Sequence, residues 1–128
     1  MYAINHIHLK SADPKRCADW FVEAFNFTIV SDTERPSGDR FIACDSENGV
    51  RVNISGARAD EVLEPGDAGA REGLEHFGFD SQDLESDIER LTALGAELLE
   101  GPNELGVARI CFMRVPDNVR IELIQRTP

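Results

Sequence analysis

The spacing of apolar residues changes in a fixed order along this chain, and the order runs twice. Residues 4–10, INHIHLK, alternate: Ile7 and Leu9 share one face of a strand, and His6, His8 and Lys10 share the other. The period then lengthens. Cys17, Ala18, Phe21, Val22 and Phe25 recur at helical spacing, with Asp13 placed as N-cap, Pro14 at the first helical position and Asn26 at the end. Alternation returns in FTIVSD (27–32), RFIACD (40–45) and VRVNIS (50–55). The cycle restarts at LEHFGFD, where Phe77 and Phe79 oppose His76, Gly78 and Asp80. Leu84, Ile88, Leu91 and Leu94 predict a second helix, with Asp83 as its cap and Gly95 just beyond it. AELLEG (96–101), ARICFMR (108–114) and RIELIQ (120–125) predict three more strands. RPSGD, SENG, GPNELG and VPDN carry the residue chemistry of tight turns between them.

The two cycles align residue for residue. His6 matches His76 and Asp13 matches Asp83, both at an offset of 70 (76 − 6 and 83 − 13). Each half reads strand, helix, strand, strand, strand. The expected fold class is therefore α+β: two βαβββ modules related by a pseudo-two-fold, forming a curved, cup-like mixed sheet. Neither half buries a sheet face well alone, and packing the halves together solves that. Module one spans about 1–56, a linker about 57–72 and module two about 73–128, all within one domain. The linker lies in GARADEVLEPGDAGAREG (56–73), polar and rich in Gly and Ala, with a helical turn expected near ADEVL.

Composition narrows the function. At 41% hydrophobic and 29% charged residues, the 128-residue chain suits a soluble globular protein. A formal net charge of −11 argues against nucleic acid or an anionic membrane as partner. No N-terminal secretory pattern precedes the first strand, and no apolar run reaches the about 18 residues of a membrane span. Cys17, Cys44 and Cys111 form no close-spaced motif and read as reduced, buried thiols in a cytoplasmic protein.

The chemistry concentrates on three side chains. Glu122 interrupts the apolar strand VRIELIQ, where a carboxylate is costly unless paired or bound to a metal. The repeat puts His6 and His76 at matched positions, and matched strands of the two modules would line one concave surface. Two imidazoles and one carboxylate are a common facial set for a divalent transition metal, leaving positions open for water or substrate.

INHIHLKSADPKRCADWFVEAFNF, GLEHFGFDSQDLESDIERLTALGAEL and VPDNVRIELIQ resemble the vicinal oxygen chelate superfamily, which includes glyoxalases, extradiol dioxygenases and fosfomycin-resistance enzymes. The resemblance covers nearly the whole chain. It implies paired βαβββ modules forming a cup around one divalent metal (Ni, Zn, Mn, Co or Fe), held by His6, His76 and Glu122. His8 faces the same cavity two residues on, and is expected to contact substrate or move a proton, with Glu122 also catalytic. Lys10, Asn53, Phe112 and Arg120 are expected to bind substrate; Phe112, with Ile110, would form an apolar wall, and Arg114 is expected to be solvated. Trp20 and Phe21 are expected in the helix core.

Departures from subfamily patterns matter. Glyoxalase-type members usually add a glutamate from the fourth strand, and here VRVNIS offers Asn53. An amide can ligate a metal but cannot serve as a general base. Extradiol dioxygenases usually place a tyrosine ten residues before the ligand glutamate, where this chain has Phe112, and an acid–base histidine that is missing between His8 and His76. Antibiotic-resistance members use a more basic pocket. The expectation is a small metal-dependent lyase or isomerase of the glyoxalase type, acting on a small molecule that chelates through neighbouring oxygens. A single-domain ring-cleaving dioxygenase is second, and a small-molecule-binding protein without turnover third. A homodimer is expected.

Overall fold

A computed structural model describes residues 1–128. The chain forms two compact units, Met1–Glu64 and Pro65–Pro128. Each has the order strand, helix, three strands. The first contains β1 (His6–Lys10), α1 (Pro14–Phe25), β2 (Thr28–Glu34), β3 (Arg40–Asp45) and β4 (Arg51–Ser55). The second contains β5 (Phe77–Asp80), α2 (Leu84–Ala93), β6 (Glu97–Glu104), β7 (Ala108–Val115) and β8 (Val119–Arg126). The expected βαβββ modules are present. Each builds an open four-stranded sheet, ordered β1-β4-β3-β2 and β5-β8-β7-β6. The outer pairs β1/β4 and β5/β8 are parallel and the others antiparallel.

Helix ends follow the side chains read from the sequence. Asp13 accepts the Arg16 backbone N–H, Pro14 occupies the first turn, and Asn26 closes α1 in the left-handed region at φ 57°. Asp83 accepts the Ser86 N–H, and Gly95 follows α2 at φ 99°. In the first unit Cys17, Ala18, Phe21 and Ala24 of α1 are buried, as are Leu9, Ile42, Cys44, Val52 and Ile54 of the sheet. In the second, Leu84 and Leu91 of α2 are buried together with Cys111, Met113, Val115, Ile121 and Leu123. Phe21 joins the core as expected, while Trp20 lies half-exposed at its edge, ring edge toward Phe21.

Two local readings need correction. GPNELG is not a turn throughout: β6 runs on through Gly101 and Pro102 to Glu104, with register shifts against β7. Gly101 makes this possible. Its φ is +91°, and a Cβ there would lie 2.7 Å from the Ile110 carbonyl oxygen. The helical turn expected near ADEVL is a single hydrogen-bonded turn, Glu61 N–H to Arg58 O, and no helix follows it. No helix in the chain is long and apolar enough to cross a membrane.

Candidate functional site

Strand alternation leaves one face of each sheet away from its helix, and the candidate residues gather there. In the second unit β8 pairs with both β5 and β7, placing Gly78, Glu122 and Phe112 in one row across three strands. His76 immediately precedes β5. Its Nε2 lies 2.7 Å from Glu122 Oε2, with the side chains 25% and 15% exposed. Glu122, on β8, thus has a partner, and its neighbours Ile121 and Leu123 are buried on the opposite face of the strand. The ring of His76 meets Phe112 edge-on at 5.0 Å between centroids.

Arg120 completes this cluster and arrives with its charge matched. Nη2 donates to Glu100 Oε2 at 2.6 Å and Nη1 to the Ala68 carbonyl at 3.1 Å. The guanidinium carbon sits 4.4 Å from the Phe112 ring centre, a cation–π stack. Arg114 reaches Glu97 at 3.2 Å. A shallow cavity of about 420 Å³ lies beside these groups, bordered by the 66–69 loop, Leu99, Arg114, Asn118 and Arg120.

The first unit presents the matching row: His8, Asn53 and Ala43. Asn53 therefore occupies the register that Glu122 holds in the second unit, at an offset of 69 (122 − 53). Its Oδ1 is buried without a hydrogen-bond partner. His6 is exposed, and its Nδ1 lies 2.5 Å from Asn5 Oδ1, which leaves Nε2 as the nitrogen able to ligate. His8 Nε2 is 2.7 Å from Ser55 Oγ, and its ring meets Phe41 edge-on at 5.4 Å. Burial pushes the His8 pKa down, and the charges of Lys10, Arg35 and His6 add to this against a smaller opposing effect of Asp39. Lys10 donates to the Gly56 carbonyl at 3.0 Å and pairs with Glu61 at 3.2 Å. Arg51 pairs with Asp45 at 2.7 Å.

The structure thus brings His76 together with Glu122, Phe112 and Arg120, and places His6, His8, Lys10 and Asn53 on the helix-free face of the first sheet. No three His, Cys, Asp or Glu side chains are gathered as a ready-made metal cage. His76 and Glu122 nonetheless fit one end of a divalent ion: an imidazole nitrogen and a carboxylate oxygen, adjacent and half-buried. Sequence reasoning missed Ser55, Glu75 and Glu100, which hold or approach His8, His76 and Arg120. Glu75 carried a signal, since it precedes His76 as Asn5 precedes His6, again 70 positions apart (75 − 5).

The sequence profile of the Glyoxalase/Bleomycin resistance protein/Dioxygenase superfamily matches residues 3–123. No curated protein matches the chain. Solved structures do. A glyoxalase family protein from Bacillus cereus is 14% identical with a TM-score of 0.84, covering 100% of this chain and 96% of its own. A glyoxylase/bleomycin resistance protein/dioxygenase domain from Frankia sp. is 20% identical with a TM-score of 0.79, covering 99% of both chains. The fosfomycin resistance protein FosX from Listeria monocytogenes, complexed with Mn(II) and sulfate, is 20% identical with a TM-score of 0.73, covering 99% of this chain and 94% of its own. At these identities the likeness is one of fold.

Proposed function

The chain belongs to the glyoxalase, bleomycin resistance protein and dioxygenase superfamily, and from that premise we propose that it is a divalent-metal enzyme of the glyoxalase type, a lyase or isomerase. The observation that carries this reading is the His76–Glu122 pair, 2.7 Å apart on the helix-free face of its sheet. In this reading His76 and Glu122 would hold the ion, with His6 as the third ligand the repeat suggests. His6 contributes Nε2, because Asn5 engages Nδ1. When bound, the metal supplies Lewis-acid stabilisation of negative charge developing on a substrate oxygen.

The chain's own residues supply the rest. Ser55 meets the His8 ring at Nε2, and burial favours its neutral form, in which one ring nitrogen can accept a substrate proton. Phe112 offers an apolar wall, and the unpartnered Asn53 Oδ1 offers a buried acceptor to a substrate hydroxyl or to the ion. Lys10, Arg51, Arg114 and Arg120 are each matched by a carboxylate. That pattern, with the net charge of −11, favours a neutral substrate with two neighbouring oxygens over a phosphonate or other strong anion.

The test begins with metal-stripped protein loaded in turn with Ni(II), Co(II), Mn(II), Zn(II) and Fe(II), then supplied with hemithioacetals of 2-oxoaldehydes. His6→Ala, His76→Ala and Glu122→Ala each lose the metal, while His8→Ala keeps it and loses turnover. Stoichiometric metal in all three ligand variants would overturn the assignment. Ring cleavage is the second reading, favoured by the amide rather than a carboxylate at position 53. Oxygen uptake on catechols by the Fe(II) form would select it.

A further inference from the structure

Three buried polar side-chain atoms have no hydrogen-bond partner: Asn53 Oδ1, His76 Nδ1 and Arg120 Nε. Two of the three face the same carboxylate. Glu75 Oε2 lies 3.6 Å from His76 Nδ1, and Glu75 Oε1 lies 3.8 Å from Arg120 Nε. Both separations are too long for hydrogen bonds. Glu75 is 57% exposed and sits ahead of β5, so a small side-chain rotation can close gaps of under about 1 Å. Other acceptors are committed elsewhere: Glu122 meets Nε2 of His76, and Glu100 and the Ala68 carbonyl meet the terminal nitrogens of Arg120. The first unit carries the closed version of the contact. There Asn5, the repeat equivalent of Glu75, holds its oxygen 2.5 Å from His6 Nδ1.

We propose that Glu75 is a positioning residue for His76, accepting the Nδ1–H with one oxygen and the Arg120 Nε–H with the other. This rests on the reading of His76 as a metal ligand. A proton held on Nδ1 leaves the Nε2 lone pair free for a cation. While Glu75 stands 3.6 Å off, the 2.7 Å contact with the Glu122 carboxylate keeps a proton on Nε2; Glu75 closing on Nδ1 shifts the ring toward the tautomer that frees Nε2, and removing Glu75 removes that shift. The second Glu75 oxygen holds Arg120 in its stack over Phe112, so one exposed carboxylate orients both sides of the cluster.

The test compares the full-length protein with E75A and E75Q. In metal-free samples at pH 8, nitrogen-15 correlation spectra of the ring report the tautomer. Wild type and E75Q, whose amide oxygen still accepts, show a measurable share of rings with the proton on Nδ1, in exchange with the form that donates Nε2–H to Glu122. E75A shows a bare Nδ1 and a protonated Nε2. Co(II) titration against a chromophoric chelator then shows weaker binding by about 10–100-fold in E75A and a change under about 3-fold in E75Q, the expected rescue by a retained acceptor. An unchanged tautomer in E75A, or a changed tautomer with unchanged Co(II) affinity, overturns the proposal. Should wild type take up no Co(II), the metal reading falls, while the tautomer comparison alone still decides for or against Glu75.

Discussion

Replacing Glu122 by Gln probes the candidate centre most directly. Glu122 Oε2 and His76 Nε2 are 2.7 Å apart. A cation bonded to each at about 2.1 Å, with about 90–110° between the bonds, needs them about 3.0–3.4 Å apart. Parting by roughly 0.3–0.7 Å is within side-chain adjustment, so the backbone need not move. Glutamine keeps the shape and an acceptor for His76 and removes only the charge, so the metal-free variant should melt as the wild type does. Outer-shell changes alone commonly cost about 10–100-fold in metal affinity, so loss of a charged ligand should cost about 100-fold or more, about 2.7 kcal/mol. Thermal unfolding with Mn(II) or Zn(II) at a hundred times the wild-type Kd reads this out. Wild type gains about 2.7 kcal/mol and the variant about 0.4 kcal/mol by mass action. At roughly 4 °C per kcal/mol, the wild-type Tm rises by about 10 °C and that of the variant by about 2 °C. Equal rises in the two proteins would refute the assignment of Glu122 as a ligand.

Four further outcomes follow from the rest of the molecule. Hydrogen bonds from Arg35 and then Ser37 hold the buried Asp39 carboxyl well below its usual 3.8, so its contribution is complete above that value and lost as pH falls through the folded one. The stability gap between wild type and Asp39→Asn in urea should therefore stay constant from pH 7 to 4 and shrink only below; narrowing between pH 7 and 5 would contradict this. Burial pushes the Cys44 and Cys111 thiols up to about 11, so both should resist a thiol reagent at pH 8 until urea unfolds the chain. Asp13→Ala and Asp83→Ala each remove a helix cap and should cost about 1 kcal/mol in chemical denaturation. Leu91→Ala, at a fully buried position of α2, should cost about 2–5 kcal/mol, and a loss under about 1 kcal/mol would mean the second unit packs less tightly than described.

Much of the architecture could be read from the chain because short-range chemistry specified it. Asp13, Pro14, Asn26, Asp83 and Gly95 mark helix ends through bonds and dihedrals that involve only their neighbours. Strand faces followed from alternation, and the 70-residue offset then doubled each reading. What escaped depends on contacts across strands. GPNELG has the composition of a turn, yet β7 accepts the strand through Gly101, whose missing side chain lets the Ile110 carbonyl approach. At the candidate site, His76 and Glu122 stood out as a histidine repeated and an acid in an apolar strand. Ser55, Glu75 and Glu100 did not, since an isolated serine or glutamate on a polar strand end looks the same whether it faces solvent or a ring nitrogen. Only the register that sets β4 beside β1, and β8 between β5 and β7, gives them partners.

The matched rows of the two sheets bear on how such a protein changes over generations. Where one row carries an acid, its counterpart carries Asn53, an amide that a single-nucleotide change turns into aspartate. That change would put an acid in the first sheet at the register Glu122 holds in the second, so the repeat offers a second position where one mutation can add a carboxylate while Glu122 is kept.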